Sequence, residues 1–115
     1  MAFIDSDILI AKDWFTIILK SFDKDHSIVG VTGNLICSEQ SAKTDLARYL
    51  FSSYRGIKKI TIDNPLSYKW FVFSNTIIKK DVLEQIGYFD ENLKHYGGED
   101  TELAIRISQL YADGI

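Results

Sequence analysis

Apolar positions in the first third of the chain follow strand-like and then helical spacing. Phe3 and Ile4 form an apolar pair that stops at Asp5, which is typical of the end of a buried strand. Residues 12–22 carry apolar side chains at helical spacing, and residues 28–31 read as a second strand with 35–37 as an extension. This order of strand, helix and strand predicts an α/β fold. The predicted inward face of the helix consists of Trp14, Phe15, Ile18, Leu19 and Phe22.

The middle of the chain has a weaker pattern. Residues 41–54 fit a helix, and residues 57–62 fit a short strand that ends at Asp63, Asn64 and Pro65. Residues 70–78 are rich in aromatic and branched side chains, which predicts a β-rich run broken near Ser74 and Asn75.

Two helices are predicted in the last third. Asp81 and Glu84 have the spacing of a capping box, and Gly87 is a suitable C-terminal stop. Residues 88–91 follow as a turn, and a loop leads to a last helix that begins near Asp100. Its predicted apolar face consists of Leu103, Ala104, Ile107, Leu110 and Tyr111.

Composition changes this picture little. The chain has 115 residues, 46% of them hydrophobic and 25% charged, which fits one domain with an ordinary core over residues 1–115. Its net charge of -3 favours neither nucleic acid nor anionic lipid as a partner. No apolar run reaches the ~20 residues of a membrane span, so we expect a cytoplasmic location, or one peripheral to the inner face of a membrane.

The cysteine and histidine content limits the metal chemistry. Cys37 is the single cysteine, and His26 and His95 are the two histidines, so a zinc site of thiolates and imidazoles is almost excluded. Any bound metal would therefore have oxygen ligands, which points to magnesium, manganese or calcium.

The first acidic motif, Asp5, Ser6 and Asp7, follows the first predicted strand. Ligands of open α/β sheets collect beyond the carboxyl ends of strands, and two carboxylates there can bind a hard cation together with substrate phosphates. The alternative is that Asp5 and Asp7 only form the turn and cap the next helix.

The second acidic motif, Glu99 and Asp100, follows Gly97 and Gly98 at the start of the last helix. Paired glycines allow a sharp turn and a close approach to a ligand. Backbone amides at a helix N-terminus would hold a carboxylate ionised and fixed in direction, which suits a general base. The alternative is again capping, with Asp100 as the N-cap residue.

The two motifs in their context resemble the GT-A-fold glycosyltransferases, in particular the family-two inverting enzymes and their galactosyltransferase-like relatives. Residues 3–7 resemble the metal-binding Asp-x-Asp region, and residues 73–107 resemble the acceptor-side region; residues 38–68 match least. The residues that carry the second resemblance are Phe73, Ser74 and Asn75, then residues 86–91, residues 96–103 and Arg106.

This resemblance implies a partial GT-A, Rossmann-like fold, with a mixed sheet flanked by helices. It further implies a hexosyltransferase-type reaction that inverts the anomeric carbon, with Mn²⁺ or Mg²⁺ as cofactor, a nucleotide-sugar donor and a glycan or other hydroxyl acceptor. The implied roles are metal binding for Asp7 before Asp5, which reaches either the metal or the ribose, and general base for Asp100 before Glu99. Phe89, Gly97 and Gly98 would line the acceptor pocket, and Trp70 or Tyr96 would stack on a sugar, the alternative being an ordinary core position.

The chain departs from this family because Asp5 comes only four residues after its start, where relatives place a nucleotide-binding unit. We therefore expect the C-terminal, acceptor-side part of a catalytic domain, without the N-terminal nucleotide-binding strands and with weak or no activity alone. An edge strand and apolar surface left uncovered by this truncation predict a homo-oligomer.

Two other functions compete with an enzyme fragment. One is a non-catalytic oligomerising or carbohydrate-binding module that keeps a remnant of the fold. The other is a different α/β enzyme, such as a phosphotransferase, in which the acidic motifs arose by chance; it would need a phosphate-binding loop that the sequence does not show.

Overall fold

The computed structural model of the chain describes residues 1–39, 43–52, 66–94, 97–112 and 114. Within these residues it confirms an α/β arrangement, with helices packed around a small sheet. The three strands are β1 (Ala2–Ile4), β2 (Gly30–Thr32) and β3 (Asn75–Ile78). The predicted strand at residues 57–62 lies outside the described residues.

The sheet has the order β1-β3-β2, and both pairings are antiparallel. Phe3 pairs with Thr76 on one side of β3, and Val31 pairs with Ile77 on the other. β1 and β2 thus run in the same direction, but β3 lies between them and runs the opposite way. The predicted mixed sheet is therefore wrong for the described strands, because β1 and β2 never pair directly.

The central strand of the sheet, β3, is buried. Thr76 and Ile78 on β3 are completely buried, and the Thr76 hydroxyl donates to the Val72 carbonyl at 2.6 Å. The run predicted over residues 70–78 is a strand only from Asn75, in line with the predicted break. Tyr68–Trp70 instead form a 3₁₀ turn, and residues 35–37 do not extend β2.

Helix α1 (Trp14–Lys24) confirms the first predicted helix but turns a narrower face inward. Ile18 is buried and Trp14 and Phe22 are half-buried, so the inward stripe runs along positions four residues apart. Phe15 is 57% exposed and Leu19 45% exposed, which contradicts their predicted place on this face. Each lies one position, about 100° of helical rotation, away from the inward stripe.

Helix α2 (Asp45–Leu50) is shorter than predicted and contributes one buried side chain, Ala47. Its N-cap residue is Thr44, whose hydroxyl accepts a hydrogen bond from the Ala47 amide at 3.1 Å. This N-cap contact fixes the start of the helix.

Helices α3 (Lys80–Ile86) and α4 (Glu99–Leu110) pack together in the core. The predicted capping box of α3 is wrong, because Lys79 is the N-cap and Asp81 accepts only from the adjacent Val82 amide. The predicted stop is confirmed, since Gly87 ends α3 with φ +82°. The core formed by these helices and the sheet consists of Val29, Phe71, Phe73, Ile78, Val82, Leu83, Leu103, Ala104 and Ile107.

The far end of α4 differs from its predicted apolar face. Leu110 is 60% exposed, whereas Tyr111 is half-buried against the core. Within α4, the buried side chains are those of residues 103, 104 and 107. No described helix is both long and apolar enough to cross a membrane.

Candidate active site

A cleft of about 480 Å³ lies where the end of β1 meets the start of α4. Segments from both ends of the chain and from its middle meet there, because β3 pairs with β1 and the loop before β3 runs past α4. The residues that line the cleft are Ala2, Phe3, Ile4, Asp5, Phe73, Phe89, Glu99 and Asp100.

Three phenylalanine rings form the apolar wall of the cleft. Phe73 stands edge-on to Phe3 and to Phe89, with 5.2 Å between ring centroids in each pair, and Phe3 meets Phe89 at 5.7 Å. Such edge-to-face pairs are favourable and hold each ring in a defined orientation. Phe73 is buried, while Phe3 and Phe89 are half-buried and remain accessible from the cleft.

The resemblance implies that Phe89 lines the acceptor pocket, but it does not identify Phe3 and Phe73 as wall residues. Strand alternation could have found Phe3, because residues two apart in a strand point to the same face, and Asp5 follows Phe3 by two. Phe73 comes from a segment that reads as ordinary core, so only tertiary structure places it in the wall.

Asp5 lies at the rim of the cleft on a turn that continues β1. Its amide donates to the Ser74 carbonyl at 3.0 Å, which extends the β1–β3 ladder by one step. Its carbonyl accepts from the Ile8 amide at 3.1 Å and closes a turn over residues 5–8. Asp7 lies on this turn, is exposed and does not line the cleft. The turn-forming alternative is thus correct for the backbone, while the predicted helix cap is wrong, since Asp13 precedes α1.

Asp100 is the second residue of α4, and its carboxylate accepts a hydrogen bond from the loop before β3 rather than from its own helix. Its Oδ2 atom accepts from the Phe73 amide at 3.4 Å. The N-cap residue of α4 is Gly98, with φ +98°, and not Asp100. The capping alternative for Asp100 is therefore wrong.

The electrostatic setting of Asp100 also differs from the expected one. Burial raises the pKa of the Asp100 carboxyl above its ordinary value, the Phe73 amide partly opposes this, and the charges of Glu99 and Asp5 raise it further. The sequence predicted a carboxylate held ionised by helix amides. The structure instead gives a carboxylate with increased proton affinity that shares one cleft with two other acids.

Gly97, Gly98 and Trp70 lie outside the cleft lining. Gly97 and Gly98 both have positive φ, +96° and +98°, and no described atom lies within 4 Å of where a Cβ would be. Their glycine identity is thus explained by backbone conformation within the described chain. Trp70 is half-buried on the 3₁₀ turn and does not line the cleft. Tyr96 lies outside the described residues.

The donor set at the rim consists of carboxylates on one turn. Asp5 and Asp7 offer exposed carboxylate oxygens on one turn, which is the ligand chemistry that magnesium and manganese take. Across residues 1–39, 43–52, 66–94, 97–112 and 114, no group of three or more acidic, histidine or cysteine side chains is spaced to hold a metal. The residues therefore fit a cation held by one or two carboxylates, with phosphates and water completing its shell.

Comparison with known proteins finds short similarities to two glycosyltransferases. A segment of 45 residues, 39% of this chain and 4% of the relative, is 38% identical to chondroitin synthase of Pasteurella multocida (strain Pm70). A segment of 39 residues, 34% of this chain and 6% of the relative, is 41% identical to polypeptide N-acetylgalactosaminyltransferase 18 of Mus musculus.

The similarity indicates a relationship to glycosyltransferases. The chain spans only a few per cent of the length of these two relatives. No family model and no solved structure matches it.

Proposed function

We propose that this chain is the acceptor-side part of an inverting glycosyltransferase of the GT-A type. It would help transfer a sugar from a nucleotide-sugar donor to an acceptor hydroxyl. The observation that carries the proposal is the convergence of Asp5 and Asp100, from the two motifs, on one cleft with an aromatic wall. The similarity to two glycosyltransferases supports the same class of reaction.

Asp100 is the proposed general base. The acceptor hydroxyl gives its proton to the Asp100 carboxylate while its oxygen attacks the anomeric carbon from the side opposite the leaving group. The bond from that carbon to the nucleoside diphosphate breaks, and the diphosphate leaves with the electron pair. The raised pKa of Asp100 suits this role, because a base works best when its pKa approaches the working pH.

Glu99 and the phenylalanine wall have supporting roles in this proposal. Glu99 lines the cleft beside Asp100 and raises its pKa through its charge. Phe3 and Phe89 offer ring surface on which the apolar face of an acceptor sugar can pack. The acceptor hydroxyl is thereby held against the base rather than in bulk water.

Asp7 and Asp5 are the proposed ligands of Mn²⁺ or Mg²⁺. When bound, this ion supplies positive charge beside the departing diphosphate. Asp5 also lies at the cleft, so its carboxylate would place the donor's reactive end near Asp100. Recognition of the nucleotide base and the activity of a whole transferase are not assigned to the described residues.

Manganese binding and turnover test this proposal. We expect Mn²⁺ titrated into the chain with a nucleoside diphosphate to bind, and Asp7→Ala and Asp5→Ala to weaken binding at least tenfold. Asp23→Ala is the matched control, since Asp23 is an exposed acid on α1 outside the cleft. Affinity unchanged in both rim variants would contradict the metal assignment.

Turnover is read as nucleoside diphosphate released from a panel of nucleotide sugars in the presence of neutral glycosides. We expect weak transfer that Asp100→Asn lowers by about 10²-fold or more, as for loss of a general base, and that Glu99→Gln lowers much less. Glycan binding that needs neither metal nor nucleotide, with no turnover, would favour a non-catalytic module instead.

A further inference from the structure

Arg106 on α4 uses every hydrogen-bond donor of its guanidinium. An arginine side chain has five N–H donors in a planar fork. Nε and Nη2 donate to the Glu102 carboxylate at 2.5 and 2.6 Å. Nη1 donates to the carbonyls of Ile86 and Gly87 at 2.8 and 3.3 Å, and Nη2 donates to that of Tyr88 at 2.7 Å. The side chain is only 26% exposed.

The three carbonyls belong to one turn of the chain. Ile86 is the last residue of α3, Gly87 ends the helix, and Tyr88 leads into Phe89 of the cleft wall. Carbonyls at a helix C-terminus have no partner within the helix, so a cation that binds them fixes the direction in which the chain leaves. Arg106 thereby fixes the backbone immediately before Phe89.

The same helix carries Asp100. Glu102, which anchors the guanidinium, lies between Asp100 and Arg106, and the six-residue step from 100 to 106 is about 9 Å along the axis. A rigid helix therefore joins the proposed base to the group that holds the turn before Phe89. The two sides of the cleft, the carboxylate on α4 and the ring after α3, are connected through this contact.

We propose that Arg106, oriented by Glu102, is a positioning residue that sets Phe89 relative to Asp100 and so fixes the shape of the acceptor side of the cleft. The effect on a ligand rests on the proposed function. The effect on Phe89 rests on the geometry alone.

A purely structural role is the competing explanation, and the core gives a way to separate the two. Leu103, Ala104 and Ile107 of α4 are completely buried, so we expect α4 to stay packed when the guanidinium is removed. Lysine keeps the positive charge but cannot reproduce the planar fork that spans a carboxylate and three carbonyls. Arg106→Lys therefore tests geometry with charge retained.

The first experiment follows the rings directly in the intact chain. Phenylalanine is labelled with ¹³C, and the Phe89 ring signals are assigned by Phe89→Leu; in the wild type they are displaced by the ring currents of Phe3 and Phe73. We expect Arg106→Lys and Glu102→Gln to move these signals toward free-phenylalanine values. Arg48→Lys is the matched control, because Arg48 has an acid partner one turn away but is exposed and outside the cleft.

Ile107→Val serves as the control for stability, because we expect it to lower the melting temperature while every hydrogen bond of Arg106 is retained. Phe89 signals that stay in place in Arg106→Lys, or that move equally in Ile107→Val, would overturn the proposal.

The second experiment measures KM for neutral hexoside and N-acetylhexosaminide acceptors. We expect Arg106→Lys to raise KM about tenfold or more, since small misplacement of a positioning group has large effects, with a smaller change in KM for the nucleotide sugar. Equal changes in both KM values would overturn the acceptor-side role. A wild-type chain that shows neither turnover nor Mn²⁺ binding would refute the proposed function, and the Phe89 signals would still decide the role of Arg106.

Discussion

Phe73→Leu is the substitution that best tests how the core and the cleft are joined. Phe73 is 5% exposed and its ring makes edge-to-face contacts with Phe3, Phe71 and Phe89 at 5.2, 5.5 and 5.2 Å. Leucine keeps a buried apolar side chain but removes all three ring pairs. Each pair contributes about 0.5–1.5 kcal/mol beyond the area buried, so three pairs at the low end give about 1.5 kcal/mol.

A loss of this size is measurable by urea unfolding. Adding the space that leucine leaves unfilled, we expect about 2 kcal/mol less free energy of unfolding. With an m-value of about 2 kcal/mol/M, the midpoint falls by about 1 M. Circular dichroism at 222 nm across a urea series at constant temperature reports both the midpoint and the m-value.

Phe71→Leu is the matched control for this prediction. Phe71 is 2% exposed, yet among the described rings it pairs only with Phe73. The same chemical change at the same depth then removes one ring pair instead of three, and the midpoint should fall by clearly less. A Phe73→Leu midpoint no lower than that of Phe71→Leu would refute the reasoning that the wall rings stabilise the fold.

Three further outcomes are expected. The Trp14 indole N–H donates to the Asn75 side chain at 2.7 Å, and Asn75→Ala removes this acceptor. The free energy of unfolding should therefore fall by about 1–3 kcal/mol. A double-mutant cycle with Trp14→Phe should show non-additivity. Asp100→Asn should stabilise the fold at neutral pH, because the pKa of Asp100 is raised in the native state. The contribution of the protonated Asp100 to the free energy of unfolding is complete below the unfolded pKa, near 3.9. It is lost as pH rises through the folded pKa. Melting temperatures of wild type and variant should therefore converge in acid, and divergence there would contradict the sign. Gly98→Ala should cost about 1–2 kcal/mol through strain at φ +98°, since no described atom lies within 4 Å of the added methyl group; an unchanged melting temperature would contradict it.

Periodicity located the elements more reliably than their inward faces. The strand at Phe3 and Ile4 and the stop at Gly87 follow from local chemistry, and the structure confirms both. The face of α1 was placed wrongly because its apolar residues extend around more than one side, and Phe15 and Leu19 remain exposed. A hydrophobic pattern reports which residues can be buried, whereas the number of neighbours available decides which ones are.

Sheet topology could not be derived from the order of the elements. The order of strand, helix and strand predicted an α/β fold and the resemblance implied a mixed sheet, but Asn75–Ile78, from a later part of the chain, lies between the two early strands. As the central strand, β3 is nearly completely buried. A sequence pattern of only four residues does not distinguish such a strand from one at the edge of a sheet. The same limit applies to Asp100, whose partner is an amide 27 residues earlier.

The cleft depends on this unpredicted pairing more than on either acidic motif. β3 pairs with β1 in the register that sets Phe3 opposite Thr76, and the Asp5 amide extends the ladder to Ser74, the neighbour of Phe73. Phe73 in turn donates its amide to Asp100, so two hydrogen bonds and the peptide bond between Phe73 and Ser74 connect the Asp5 backbone to the Asp100 carboxylate. A register slip of one residue would turn Phe3 to the opposite face and separate Asp5 from Asp100. The sequence motifs thus supply the acids, and the central strand determines whether they act on one ligand.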